Sequence, residues 1–215
     1  MINKIIPAVR TENITYAVRD IVVLANQVAK TGKEMLYLNI GDPNLYDFVP
    51  PKHLVDATYQ AMLKNLNGYA PSSGIGEAVK AIEAEAERKG ITNVHDIFVT
   101  TGASEAIDIC LTALVNDGEN VLTPTPGYPL YTAIASKLQM MENPYYLDES
   151  NGWLPNIEDI KSKINDKTKA IVLINPNNPT GSLYTRENLQ QIVDLALEHN
   201  LVIFADEIYD KLLFD

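Results

Sequence analysis

An apolar run, LVIFA, leads straight into Asp206, and Tyr209 follows three residues later. A carboxylate at the end of a buried strand needs a cation or several donors, or it takes up a proton. Such a group suits a ligand that carries a proton on nitrogen; a structural ion pair is the other reading. NPNNPTG (175–181) holds two Asn-Pro pairs in seven residues. Proline fixes φ, so this turn could aim the amide of Asn178, and the alternative is a plain turn built of turn-forming residues. TPTPGYP (123–129) sets Tyr128 between Pro126 and Pro129. Held there, its ring could stack on a flat ligand or simply pack at a helix start. TTGAS (100–104) runs into a helix whose free N–H groups at Ala103 and Ser104 would hold an anion, most naturally a phosphate. The bland alternative is that Ser104 is only an N-cap, without a capping box because Ile107 stands where Glu or Gln would be.

These stretches are the ends of elements. From residue 97 the segments IFVTTG, NVLTP, MMENPYYLD, KAIVLIN and LVIFAD read as strands. Between them SEAIDICLTALVN, YPLYTAIASKL, IEDIKSKIN and TRENLQQIVDLALEHN read as helices. Strands and helices alternating at this spacing predict βαβ units: an α/β fold with a mostly parallel sheet covered by helices on both faces. In such sheets ligands bind beyond the carboxyl ends of the strands, so the four stretches face one crevice. Ahead of this body, helices are expected over 15–32, 51–66 and 77–89, with a short strand at MLYLNI (35–40) that breaks at GDPN. A boundary is expected in the loop GYAPSSGIG (68–76), dividing a small N-terminal segment, 1–70, from the doubly wound body, 71–215.

Composition removes several classes of function. The 215 residues are 46% hydrophobic and 21% charged, with a net charge of −11. That balance suits a globular domain and disfavours a nucleic-acid groove, which needs clustered Lys and Arg. One cysteine, Cys110, allows no internal disulfide and fits a reducing compartment. The start, MINKIIPAVR, has no long apolar stretch, and no run approaches membrane-spanning length, so a cytoplasmic protein with no membrane partner is expected. His53, His95 and His199 have no metal-ligand spacing and read as surface residues. No P-loop is present, and GIGEAV (74–79) lacks the third glycine and the preceding strand of a dinucleotide fingerprint.

Taken together, the strand ends describe one ligand. It has a phosphate for the helix start and a flat ring for Tyr128. It has a polar ring substituent for Asn178 and Tyr209, and a basic ring nitrogen for Asp206. Pyridoxal phosphate meets all four demands, and its ring nitrogen needs a carboxylate partner to stay protonated. The segments LNIGDPN, NGYAPSSGIGEAVKAI, VTTGASEAI, PTPGYPLY, INPNNPTG and ADEIYD carry a resemblance to a known family. The chain resembles the fold-type I pyridoxal-phosphate aminotransferases of class I and II over essentially its whole length, and is most similar to their alanine aminotransferase branch.

The resemblance implies roles. Ala103 and Ser104 match the phosphate-binding turn, Tyr128 the stacking aromatic, and Asn178 with Tyr209 the pair that bonds the ring hydroxyl. Asp206 matches the partner of the pyridine nitrogen. Tyr69 matches a tyrosine that reaches the phosphate of the neighbouring subunit, which implies a homodimer. Gly41 matches a glycine whose backbone meets the substrate carboxylate, where Asn178 also helps. Val79 and Lys80 depart from a frequent Leu-Arg.

The family's Schiff-base lysine, a few tens of residues past the aspartate, and a later carboxylate-clamping arginine have no match in this sequence. Lys211, five positions past Asp206, does not share a helical face with it and is expected to be solvated. The chain is therefore expected to be the N-terminal portion of the fold: part of the small domain with a linking helix (1–70) and an incomplete large cofactor-binding domain (71–215). The implied function is transamination between an amino acid, alanine first, and a 2-oxo acid, with a complementing C-terminal polypeptide as a possible partner. The alternatives are an inactive fragment or pseudoenzyme, and another reaction on the same cofactor such as a lyase.

Overall fold

A computed structural model describes residues 6–11, 17–38, 41 and 43–213. The first residues of the helix expected over 15–32 and the last two of MLYLNI lie outside the described residues. The chain forms two compact units, Met1–Val28 with Ala103–Asp215, and Ala29–Gly102. The loop 68–76 lies within the second unit.

The first unit contains the sheet. Its strands are β1 (Asn120–Thr125), β2 (Met141–Asp148), β3 (Leu154–Pro155), β4 (Thr168–Ile174) and β5 (Val202–Asp206), in the order β3-β2-β1-β4-β5. β1 runs parallel to β2 and β4, β5 runs parallel to β4, and only the two-residue β3 is antiparallel. The helices of this unit are α1 (Ala17–Ala29), whose last residue falls in the other unit, α4 (Ala103–Leu114), α5 (Leu130–Leu138), α6 (Ile157–Lys163) and α7 (Arg186–Glu198). Two starts carry side-chain caps: Asn156 accepts from the Asp159 N–H at α6, and Thr185 from the Asn188 N–H at α7.

Alternation along β4 explains why helices cover both faces. Ala170, Val172 and Ile174 pack into one cluster with Ile107 and Leu111 of α4 and Tyr131 and Ile134 of α5. Ile171 and Leu173 point the other way, into a second cluster with Ile160 of α6 and Ile192 and Leu195 of α7. A strand buried on both faces reads as a near-continuous apolar run, here Ala170–Ile174, and six of the seven β4 residues are buried. Each large aliphatic side chain so buried stabilises the fold by about 1.5–3 kcal/mol before entropy is counted.

From β1 the chain passes through α5 to β2 on one side, while β4 lies on the other side of β1. The crevice beyond the carboxyl ends of β1 and β4 is thus a topological switch point, the usual ligand position in open α/β sheets.

The second unit holds α2 (Lys52–Leu63) and α3 (Gly76–Arg88), and among the described residues it has no strand. Residues 35–38 and 97–100, both expected as strands, are irregular. A strand requires a ladder partner. Val99 N–H instead bonds the Ser73 carbonyl at 2.9 Å, and Phe98 is 63% exposed.

Among the described residues no helix is long and apolar enough to cross a membrane, and no group of three or more His, Cys, Asp and Glu could hold a metal ion.

Candidate active site

Two turns build the floor of the crevice. After β1, the chain turns through Thr125–Gly127 and enters α5 at Pro129–Leu130. After β4, NPNNPTG folds back on itself. Asn175 Oδ1 accepts from the Tyr184 N–H at 2.9 Å. Asn177 donates to Thr180 Oγ1 at 2.8 Å and to the Pro126 carbonyl at 3.4 Å, which ties this turn to the one after β1. Two of the three asparagines therefore fold the loop, and the third, Asn178, lines a cavity. The three cis peptide bonds among the described residues, at Thr125–Pro126, Asn175–Pro176 and Asn178–Pro179, all fall in these two turns.

The cavity has a volume of about 210 Å³. Ala103 and Ser104 line it from the start of α4, Tyr128 from the turn before α5, and Asn178 from the loop after β4. Asp206 and Tyr209 line it from the end of β5 and beyond, over apolar Ile107, Ile174 and Ile208. Six of the sequence-derived site residues thus surround one space. α4 begins at Ala103, so Ser104 sits in the first helical turn and not at the cap. Backbone N–H groups of a first turn have no intrahelical acceptor, which leaves them for an anion. Tyr128 is half-buried and packs against the first cluster while also facing the cavity, so its two readings are compatible. Tyr209 is 36% exposed. Lys211 is exposed and does not line this cavity. Gly41 and Tyr69 belong to the unit Ala29–Gly102. Both are exposed, and open space surrounds Gly41.

Asp206 is the last residue of β5 and pairs in register with Ile174. Its carbonyl accepts from the Asn175 N–H at 3.0 Å. Its carboxylate accepts the Tyr131 hydroxyl on Oδ2 at 2.9 Å, and on Oδ1 meets only a long contact from the Ile208 N–H, 3.4 Å. A carboxylate has about four acceptor sites, so Asp206 retains capacity for a donor from the cavity. Tyr131 was not singled out in the sequence. It is 2% exposed, and burial, with the neighbouring Asp206 charge, pushes its phenol well above the usual tyrosine range. A second space of about 270 Å³ adjoins Asp206, lined by Tyr131, Cys110 and Phe204. It is largely apolar, so the polar groups converge on the first.

What the arrangement can do is hold an anionic group at the α4 start, a flat ring against Tyr128, and a protonated nitrogen at Asp206.

Comparison with known proteins gives the chain's relatives. The family profile for aminotransferase class I and II matches residues 33–215. The chain is 45% identical over 213 residues to the glutamate-pyruvate aminotransferase AlaA of Haemophilus influenzae, covering 96% of this chain and 52% of that protein. It is 43% identical over 194 residues to an alanine aminotransferase of Mycobacterium tuberculosis, covering 89% of this chain and 45% of that one. Among solved structures, an alanine aminotransferase from Pyrococcus furiosus superposes with a TM-score of 0.92 at 38% identity, over 97% of this chain and 54% of its own. An aminotransferase from Escherichia coli superposes with a TM-score of 0.92 at 40% identity, over 99% and 53%. The chain spans about half the length of the curated relatives it matches. On this sequence match and this superposition, the chain belongs to the class I and II aminotransferase family.

Proposed function

We propose that the protein serves pyridoxal 5'-phosphate-dependent transamination, moving an amino group between an amino acid, alanine in this reading, and a 2-oxo acid. The observation that carries the reading is the gathering of Ala103, Ser104, Tyr128, Asn178, Asp206 and Tyr209 around one cavity. The residues present fit this cofactor chemically. The first-turn N–H groups of α4 bind its phosphate. Tyr128 stacks on its ring, and Asn178 and Tyr209 bond the ring hydroxyl. Asp206, with acceptor capacity left on Oδ1, holds a proton at the ring nitrogen. When bound, the cofactor supplies an electron sink for charge that develops at the substrate α-carbon. Asn178 and the Gly41 backbone orient the substrate carboxylate, and Tyr69 of a second copy reaches the phosphate, which makes the working form a homodimer. The exposure of Tyr69 supports that role. In this reading residues 1–70 belong to the small domain and its linking helix, and 71–215 to the cofactor-binding domain. The single cysteine suits a cytoplasmic location, and the names of the relatives support a role in alanine metabolism.

One observation favours a second reading. Among the described residues no lysine lines the cavity. The 215 residues would then hold the cofactor without turnover, as a pseudoenzyme, unless the reactive amine comes from outside them, for instance on a complementing polypeptide.

The test uses the full reading frame that contains this chain, loaded with pyridoxal phosphate. Pyruvate should form from alanine only when 2-oxoglutarate is supplied. Pyruvate and ammonia formed from serine without an oxo acid, the β-hydroxyl leaving as water, would point to a lyase instead. Saturable cofactor binding with no turnover would select the second reading.

A further inference from the structure

Tyr131 sits three residues after Tyr128, on the first turn of α5, and its N–H approaches the Tyr128 carbonyl at 3.4 Å. Tyr128, in the turn before the helix, lines the cavity, and Tyr131, inside the first helical turn, places its hydroxyl 2.9 Å from Asp206 Oδ2. Asp206 ends β5, which has β4 as its neighbour among the described strands. The long Ile208 N–H contact on Oδ1 holds the side chain of this strand end only weakly, whereas the 2.9 Å hydrogen bond from buried Tyr131 fixes Oδ2.

We propose that Tyr131 is a positioning residue for Asp206: it grips the carboxylate by Oδ2 and so keeps Oδ1 directed to a protonated ring nitrogen in the cavity. The proposal rests on reading that cavity as a pyridoxal-phosphate site. Three features argue for it. Tyr131 is 2% exposed among Ile107, Ile134 and Val172, so its hydroxyl is held in a largely apolar setting. Its phenol stays protonated across the working pH range, because burial and the Asp206 charge both oppose ionisation. Its donor is also neutral. A lysine or arginine in the same place would offset the carboxylate charge and weaken its hold on a cationic ring nitrogen. A tyrosine orients the carboxylate and leaves that charge intact.

The experiment compares the full chain with its Tyr131→Phe variant, which keeps the ring and loses the hydroxyl. Equilibrium dialysis is run with pyridoxal phosphate and with a deaza analogue in which carbon replaces the ring nitrogen. Tyr131→Phe should weaken pyridoxal phosphate by about tenfold, the scale of one lost hydrogen bond to a charged group. It should leave the analogue within about twofold, because the analogue offers Asp206 nothing to hold. Equal weakening of both ligands would reduce Tyr131 to a packing residue and overturn the proposal. A wild-type chain that binds neither ligand would overturn the cofactor reading itself, and the proposal with it. A second measurement needs no cofactor. The hydroxyl proton of Tyr131, assigned by its disappearance in Tyr131→Phe, should resonate downfield and move upfield in Asp206→Asn. A resonance indifferent to Asp206→Asn refutes the grip directly.

Discussion

Replacing Gly127 with alanine should loosen the turn that presents Tyr128. A Cβ at Gly127 would fall 2.2 Å from the Pro124 carbonyl oxygen, 3.2 Å from its carbonyl carbon and 3.3 Å from its Cγ. Real Cβ contacts essentially never lie under 3.0 Å, so something must retreat by most of an ångström. Pro124 belongs to β1 and stands opposite Tyr145, a fully buried residue of β2. The strand is held, so the turn moves and carries Tyr128 with it. Overpacking costs about 1–3 kcal/mol, and a clash with backbone rather than a flexible side chain puts Gly127→Ala at about 2–3 kcal/mol. With a urea slope of about 2 kcal/mol per molar, the midpoint should fall by roughly 1 M. The assay is urea unfolding of the full chain followed by far-UV circular dichroism. Gly76→Ala is the control: open space surrounds Gly76 at the first position of α3, and alanine is the better helix former. Its midpoint should match or exceed wild type. A Gly127→Ala midpoint within error of wild type would show that the turn absorbs the methyl group and that the clash argument is wrong.

Asp206→Asn should weaken cofactor binding and turnover by about 2–5 kcal/mol, the scale for removing one charge from a hydrogen-bonded pair. Its melting temperature should hardly move, since the amide oxygen still accepts from Tyr131; wild-type turnover would refute the role given to Asp206. Ile192→Ala empties a position of α7 that is 0% exposed, and should cost about 2–5 kcal/mol in the same urea assay. The Asn116 N–H, and then the Lys169 ammonium 3.1 Å away, hold the Glu119 carboxyl below its usual 4.5. A lowered folded-state value means stability that is present above pH 4.5 and lost as pH falls through the folded value. Glu119→Gln should therefore flatten the acid limb of the stability profile below that pH, and a limb as steep as that of wild type would count against the pairing.

The legible parts of this protein share a physical cause. β4 and β5 could be read as short apolar runs, and β1 and β2 by their place between turn formers and amphipathic helices. The candidate site could be read because its residues sit in turns, where Pro, Gly and Asn announce themselves. Tyr131 could not. Inside YPLYTAIASKL it passes for one more aromatic at helical spacing, and its partner lies 75 positions away in sequence. A tyrosine three residues after another at a helix start, under a strand that ends in a carboxylate, was the available signal. β3 gave none, being two residues long and half proline. Residues 35–38 and 97–100 misled in the opposite sense. Their β-branched and aromatic composition suits a strand, but composition cannot supply the neighbour that a ladder needs.

β4 has one more consequence. Its odd and even residues belong to different hydrophobic clusters, and only the thickness of a backbone separates them. Neither cluster can melt while the other stays intact, because losing the strand removes one wall from both. The two clusters are in this sense a single cooperative block, and Ile174, on the cavity floor, is part of the strand that both must release together.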